Sequence, residues 1–448
     1  MSAGKKLFIC QECGYETFKW LGRCPSCNSW NSFLESSPPS SRRDSPPARV
    51  SLLKDLPLRV DHRLRTGLLE FDRVLGGGAV PGSVILLGGD PGIGKSTLLL
   101  QVASRLSVGH EVLYVSGEES LHQLKLRAER INAGTELPVV METALENILE
   151  VASRLRPGVL VIDSVQSCYR SELGGVPGSP VQVREVTAEL VKLAKKIETV
   201  VFLIGHVTKE GVMAGPRLLE HMVDSVLYLE GDRGHSFRIL RGVKNRFGST
   251  NEIGVFVMEE RGLAEVVNPS AFFVTRRSRS VQGAAVTASM EGTRPLLVEV
   301  QALVIPSCYA TPRRASVGID LNRAALIMAV LARHAGDSFV GLDTFINVVG
   351  GVRITEPAAD LAVAAALVSS LKEKTIGSDT VVIGEIGLTG EILPVSDINI
   401  RLREGVKLGY QNYILPRASL TNLKDGPGTV NITGVDNIKE AIDACLLG

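Results

Sequence analysis

Gly89, Gly94, Lys95 and Ser96 fill every fixed place of the pattern G-x-x-x-x-G-K-[ST], in a stretch that reads SVILLGGDPGIGKSTLLLQVASR from Ser83 to Arg105. An apolar strand, a glycine-rich turn and an amphipathic helix follow one another there, which is the context the pattern's chemistry requires. Glycines let backbone N–H groups turn inward around phosphates, and the helix N-terminus adds partial positive charge. Gly89, Asp90, Pro91, Gly92, Ile93, Gly94, Lys95, Ser96 and Thr97 are therefore predicted to cradle ATP, with Lys95 on the terminal phosphates and Ser96 on Mg²⁺. The competing reading is a glycine-rich turn without a ligand, and a full motif in context is hard to reach by accident.

Two neighbouring strands end on carboxylates. VLVID, from Val159, closes on Asp163, placed to hold Mg²⁺ opposite Ser96 unless it merely caps the next helix. EVLYVSGEES, from Glu111, ends with Glu118 and Glu119 at the same edge of the sheet. One of them is expected to orient the attacking water, work that a metal-bound Asp163 cannot do. Glu118 is chosen, and Glu119 is left to the start of the following helix at Ser120.

Cys10, Cys13, Cys24 and Cys27 form C-x-x-C, ten intervening residues, and C-x-x-C again. Two such turns present four thiolates to one tetrahedral Zn²⁺, and the metal supplies folding energy that a segment of about 30 residues cannot draw from its own core. Two disulfides are the alternative. The remaining Cys168, Cys308 and Cys445 are scattered and odd in number, as in a reducing compartment, which favours zinc. Trp20, Trp30 and Phe33 are expected to form a small core around the metal rather than base-stacking platforms. From Ser36 to Arg49 the Ser- and Pro-rich run SSPPSSRRDSPPAR reads as a semi-extended linker, with Arg42 and Arg43 as solvated charges.

These motifs need elements to position them. At 448 residues the chain exceeds one ordinary core, at a prior of about 150 residues per domain. Between Val50 and about Pro269, short apolar runs alternate with helical segments, the rhythm of a mainly parallel sheet covered on both faces. Strands are expected from Ser83, Glu111, Val159, Thr199 and Ser225, with a more polar one, FRILRGVKNR, from Phe237. The expected organisation is a zinc module over 1–35, a linker over 36–49, an ATPase domain over 50–270 and a further domain over 271–448. A hydrophobic content of 44% with 22% charged residues is globular, and no apolar run approaches the roughly 20 residues of a membrane span. The N-terminus lacks the pattern of a secretory signal, so a cytoplasmic protein without a membrane partner is expected. A formal charge of +1 gives no global polyanion signature, so any nucleic-acid surface must be a local patch.

TGLLEFDRVLGGGAVPGSVILLGGDPGIGKS, the Glu-ending and Asp-ending strands, and a strand ending at His206 together resemble the RecA-type ATPase core. Lys244-Asn245-Arg246-Phe247-Gly248, with the four-cysteine head, narrows the resemblance to the bacterial RadA (Sms) DNA-repair family, over the whole chain. RGVKNRFGSTNEIG carries Arg241, Lys244 and Arg246 in a turn beyond a strand, cations suited to a phosphate. The resemblance implies that Lys244 and Arg246 reach a neighbouring subunit's nucleotide, a role worth about a thousandfold or more in rate; direct DNA contact by Lys244 stays open. It also places two DNA-holding loops at SCYRSELGGVPGSPVQVRE and VTKEGVMAGPRLLEH, with Arg170, Arg184, Lys209 and Arg217 as candidate phosphate contacts. His206 is either a γ-phosphate sensor or a structural histidine. The family further implies a homo-hexamer on single-stranded and branched DNA, extending branch migration of recombination intermediates together with the RecA recombinase.

From about Ala271 the order of elements and the phrase GEIGLTGEILPV resemble the proteolytic domain of Lon. Lon-type proteases carry Gly-Pro-Ser-Ala-Gly with a nucleophilic Ser, where this chain reads Glu356-Pro357-Ala358-Ala359-Asp360, and their base lysine aligns with Asn399. A Ser–Lys dyad needs an attacking oxygen and a neutral amine, so an inactive α+β ring scaffold is expected, with Arg313, Arg314 and Arg276 to Arg279 as possible DNA contacts. The fold expected of the whole is thus α/β: a RecA-like P-loop ATPase between a zinc module and a Lon-like domain. Competing functions are an ATP-dependent protease, a RecA-like regulatory kinase, and an adaptor ATPase acting on a protein partner.

Overall fold

The computed structural model describes residues 7–10, 15–26, 28–36, 52, 63–134, 136–173, 175–205, 216–231, 237–250, 252–275, 280–423 and 430–446. The chain divides into two compact units, 1–265 and 266–448. Outside the described residues lie Cys13, Cys27, linker positions 37–49 with Arg42 and Arg43, His206, Lys209 and Arg276 to Arg279.

The first unit opens with a small antiparallel sheet of β1 (Leu7–Cys10), β2 (Glu16–Thr17) and β3 (Phe33–Ser36), in the order β2-β1-β3. After α1 (Leu69–Val74) comes a strand–helix alternation: β4 (Val84–Gly88), α2 (Lys95–Leu106), β5 (Val112–Ser116), α3 (Leu121–Arg130), β6 (Val139–Met141) and α4 (Leu145–Leu155). It continues through β7 (Val159–Asp163), α5 (Pro180–Ile197), β8 (Val200–Ile204), α6 (Pro216–Met222) and β9 (Ser225–Glu230). β10 (Phe237–Asn245), β11 (Ile253–Glu259) and β12 (Gly262–Glu265) complete a nine-stranded sheet ordered β12-β11-β10-β9-β4-β8-β7-β5-β6. The strands from β9 to β6 run parallel, and β10, β11 and β12 are antiparallel.

Strands β4, β5, β7 and β8 are unbroken buried runs, and such strands need cover on both faces. Their side chains alternate between two cores. Ile85, Leu87, Val159, Val161 and Phe202 face Phe71 of α1 and Leu98 and Val102 of α2. Val84, Leu86, Leu160, Ile162 and Leu203 face Ile148 and Ala152 of α4 and Val186 and Leu190 of α5. The predicted six strands are all present, and the parallel arrangement sets the carboxyl ends of β4, β5, β7 and β8 along one edge, where open α/β sheets bind ligands.

The second unit has α7 (Ser270–Phe273), β13 (Ala284–Glu291), β14 (Arg294–Pro306), β15 (Arg314–Val317), α8 (Leu321–Val330), β16 (Leu342–Val348) and α9 (Asp360–Leu371). Then follow β17 (Thr380–Val382), β18 (Glu385–Ile386), β19 (Ile392–Leu393), α10 (Ile398–Lys407), β20 (Asn412–Pro416), β21 (Asn431–Val435) and α11 (Ile438–Cys445). A seven-stranded mixed sheet, β15-β16-β14-β13-β17-β20-β21, stands beside the β18-β19 ribbon. Every residue of α9 from Asp360 to Ser369 is buried, as its Ala-rich, almost uncharged sequence requires.

Candidate active site

The phosphate loop joins β4 to α2. Gly94 is the N-cap of α2 at φ 115°, with no side chain capping the helix, so its first N–H groups are left for a ligand. Close approach dictates Gly89, where a Cβ would meet the Leu229 carbonyl oxygen at 2.4 Å, and backbone conformation dictates Gly94, at φ 115°. Lys95 Nζ donates to the carbonyl oxygens of Gly89 (2.7 Å) and Asp90 (3.0 Å). Burial pushes its pKa down, opposed by the carboxylates of Asp163, Asp90 and Glu118. Arg238, buried on β10, supports the loop by donating through Nε to the Ile93 carbonyl oxygen at 3.2 Å.

The carboxylates converge because β5 and β7 end in register, Ser116 opposite Asp163. Asp163 Oδ1 accepts from the Ser96 hydroxyl at 3.1 Å and Oδ2 from the Tyr114 hydroxyl at 2.6 Å. Burial raises the Asp163 pKa against both hydrogen bonds, so its ionised form calls for a cation. A hydroxyl and a carboxylate this close are hard oxygen donors of the kind Mg²⁺ takes, and the pair fits that metal. Glu118 accepts a short hydrogen bond from the Ser164 hydroxyl, and the Asp163–Ser164 peptide bond is cis. Glu119 instead forms a short ion pair with Arg127 of α3. Ser120 N-caps α3 in a reciprocal pair with Gln123, so neither glutamate serves as that cap.

Lys95, Ser96, Asp163 and Glu118 thus stand together. Sequence reasoning missed Tyr114, Ser164, Arg127 and Arg238. Tyr114 reads as one more member of an apolar strand, and Arg238 as one of several charges on a polar one.

Lys244 was expected in a turn, and the structure corrects this: β10 pairs with β9 through Asn245, so Arg241 and Lys244 lie on the strand, across a bulge between Gly242 and Lys244. Only Arg246 lies past the strand's end. Lys244 Nζ donates to the carbonyl oxygens of Glu220 (2.6 Å) and Val223 (2.8 Å), at the C-terminus of α6. Arg246, with a side chain 55% exposed, contacts Asp224 at 3.3 Å, and the other Asp224 oxygen accepts from Val84 N at the start of β4. Gly248 packs on Gly76, where a Cβ would lie 3.2 Å from that residue's Cα. Among the loop cations, Arg170 is engaged by Glu172, Glu185 and Glu189, Arg184 is exposed on α5, and of Arg217 only the backbone on α6 is described.

In the cysteine head, Cys10 and Cys24 are fully buried and open matching turns, Cys10 N donating to Tyr15 O and Cys24 N to Ser29 O, each at 2.9 Å. Buried sulfurs in repeated turns fit a thiolate metal site. No group of three or more metal-ligating side chains occurs among the described residues, two of the four cysteines being outside them. The expected aromatic core is corrected in part. Phe33 is 4% exposed, but Trp20 and Trp30 stand out at 55% and 71%, because Phe8 and Leu21 complete the small core instead.

In the second unit, Ala358 is buried in the turn before α9, and Asn399 lies in the first turn of α10. Beside Ala358, Glu356 pairs with Arg401, which is wholly buried and also donates to the Ala288 carbonyl oxygen at 2.6 Å. Arg313 stacks on Tyr309 at 3.9 Å, and Arg314 is exposed at the start of β15.

A sheet with a phosphate loop after one central strand and carboxylates at the ends of two neighbours defines a RecA-like P-loop ATPase. Family models agree on the parts: residues 52–212 match an AAA domain, 8–35 a rubredoxin metal binding domain, and 329–448 the C-terminal proteolytic domain of Lon protease (S16). Over its whole length the chain is 48% identical to the DNA repair protein RadA of Halalkalibacterium halodurans and 49% identical to that of Bacillus subtilis, covering 100% of each relative. To the RadA of Streptococcus pyogenes serotype M1 it is 50% identical, over 99% of both chains. A solved KaiC-like protein of Pyrococcus horikoshii matches 46% of this chain and 100% of its own, at 20% identity and a TM-score of 0.39. The chain belongs to the RadA family of DNA repair proteins. Among the described residues no helix is long and apolar enough to cross a membrane.

Proposed function

We propose that this protein is a DNA-dependent ATPase that assembles as a homo-hexameric ring on single-stranded DNA and, with the RecA recombinase, drives branch migration of recombination intermediates. The observation that carries the reading is the convergence of Lys95, Ser96, Asp163 and Glu118 at the carboxyl edge of the sheet, where the chain leaves β7 toward the first proposed DNA segment, 167–185, whose last residues, from Pro180, are the start of α5 rather than loop.

The loop amides and Lys95 hold the terminal phosphates of ATP, and Ser96 and Asp163 hold Mg²⁺, which when bound neutralises charge on the phosphate oxygens. Tyr114 fixes the second Asp163 oxygen, leaving the first toward Ser96. Glu118, oriented by Ser164, aligns the attacking water and draws off its proton. A bond forms from the water oxygen to the γ-phosphorus, and the bond to the bridging oxygen breaks, giving ADP and phosphate. Arg246 is the cation placed to act across a subunit interface, and Lys244 couples that interface to α6.

Proteolysis is not part of the proposal: Ala358 lacks an attacking oxygen and Asn399 lacks an amine, so the second unit serves ring assembly, with Arg313 and Arg314 as DNA contacts. The test is steady-state ATP hydrolysis with and without single-stranded DNA at two salt concentrations, with Lys95→Ala as the blank. Stimulation that weakens with salt is expected. Intact hydrolysis without stimulation overturns the motor and favours an ATPase directed at a protein partner.

A further inference from the structure

Both tryptophans of this chain, Trp20 and Trp30, lie in the cysteine head, and neither contributes to its core. Leaving large rings in water forfeits burial energy of roughly 25 cal/mol per Å² of apolar surface. The two belong to one turn. Arg23 forms an isolated antiparallel bridge with Trp30, Asn31 N donates to Gly22 O at 2.8 Å, and the Trp20 ring lies 3.8 Å from where a Gly22 side chain would begin. The Arg23 guanidinium stands 5.6 Å from the Trp30 ring centre, and with the ring 71% exposed the rest of its surface stays open. Exposed Lys19 sits between Phe18, itself 67% exposed, and Trp20. No residue from Phe18 to Asn31 is acidic.

Flat rings alternating with cations, with Gly22 and Asn31 between them and Leu21 packed against the small core, match bases and phosphates better than an apolar protein surface. Base–aromatic stacking is indifferent to sequence, and the cations meet the backbone. We propose that the Trp20–Arg23–Trp30 face is a stacking platform for single-stranded DNA, a second contact outside the ring loops. Duplex DNA keeps its bases stacked on one another and offers this face only phosphates.

Because the head holds both tryptophans, intrinsic tryptophan emission reports on this face alone. The experiment titrates the full-length, zinc-loaded protein with fluorescein-labelled oligothymidylate, reading anisotropy for total binding and tryptophan emission for the head. Emission is expected to quench over the concentrations that raise anisotropy, and to respond much less to duplex of equal length. In a second arm Trp30→Phe keeps the affinity, whereas Trp30→Ala weakens it by roughly 5- to 150-fold, the equivalent of one stacked base at about 1–3 kcal/mol. Zinc content equal to wild type shows that the head still folds. Rising anisotropy with unchanged emission overturns the platform, leaves the motor reading standing and assigns the face to a protein contact. No rise in anisotropy overturns both.

Discussion

The Lys244 ammonium lies 2.6 Å from the carbonyl oxygen of Glu220, tying the strand that leads into the Lys-Asn-Arg-Phe-Gly run to the last turn of the helix that follows residues 206–215. Cations are favourable at a helix C-terminus, where carbonyl groups are otherwise unpaired. Lys244→Ala is expected to leave assembly intact and to speed amide exchange across 219–224 by about 10- to 100-fold, as a charged hydrogen bond of about 1.5–3 kcal/mol is lost. DNA-stimulated ATPase should fall with it. Arg246→Ala, which loses its contact with Asp224 beyond the helix, should leave exchange at 219–222 unchanged and cost about a thousandfold in turnover. Full stimulated turnover in Lys244→Ala would remove the coupling role.

The two adjacent glutamates separate by their partners. Glu118→Gln is expected to slow turnover by about 10²- to 10⁴-fold, the range of a lost general base, while a fluorescent ATP analogue still binds. Glu119→Gln breaks the pair with Arg127, which anchors α3, and should cost stability on the order of 1 kcal/mol with turnover within about tenfold of wild type. The reverse ranking would exchange their roles.

Glu142 gives a pH signature away from the chemistry. Its carboxylate accepts from the backbone of Ala144 (2.9 Å) and Thr143 (2.8 Å) and from the Asn147 side chain (2.7 Å), just ahead of α4. The Ala144 backbone bond first, then Asn147 and Thr143, hold its pKa below the ordinary glutamate value. A carboxylate depressed in the folded state contributes stability above its unfolded pKa, and loses it as pH falls through the lower folded one. Protection of the amides at the start of α4, exchange taken relative to the intrinsic rate at each pH, should therefore fall as the solution is taken below about pH 4.5, and in Glu142→Gln that protection should be low already at pH 7 and flat with pH.

Much of the candidate nucleotide site was legible because its residues are bound to local pattern. The phosphate loop needs glycines where the Leu229 carbonyl crowds Gly89 and where Gly94 takes a positive φ, and Asp163 and Glu118 end apolar runs. What was not legible depends on pairing between distant segments. Tyr114 reaches Asp163 only because β5 and β7 run side by side, and Arg238 reaches the loop from a strand 145 residues later in the chain. The β11–β12 hairpin hides behind a charged turn at Glu260 and Arg261, and β6 is too short and exposed to show a period. Trp20 and Trp30 were misplaced because composition does not say which aromatics a 30-residue head can afford to leave outside.

The Glu356–Arg401 pair gives the sharpest test of the second unit. Arg401 is fully buried and donates to Glu356, to Ala288 O at 2.6 Å and to Ser396 O at 2.9 Å, while Glu356 also accepts from Met290 N at 2.6 Å. Removing Glu356 leaves the Arg401 charge buried and unmatched, at about 3–5 kcal/mol, whereas removing Arg401 leaves a carboxylate that is 21% exposed and costs less. Arg401→Ala and Glu356→Ala should each lower the melting temperature of this unit and weaken the proposed ring on sedimentation, and the double variant should cost less than the sum. Ala358→Ser restores a hydroxyl beside this pair but no amine, so a fluorescent casein assay with ATP should stay at background. Cleavage in Ala358→Ser, or in the unaltered protein, would mean that the pair supports a nucleophile rather than a scaffold.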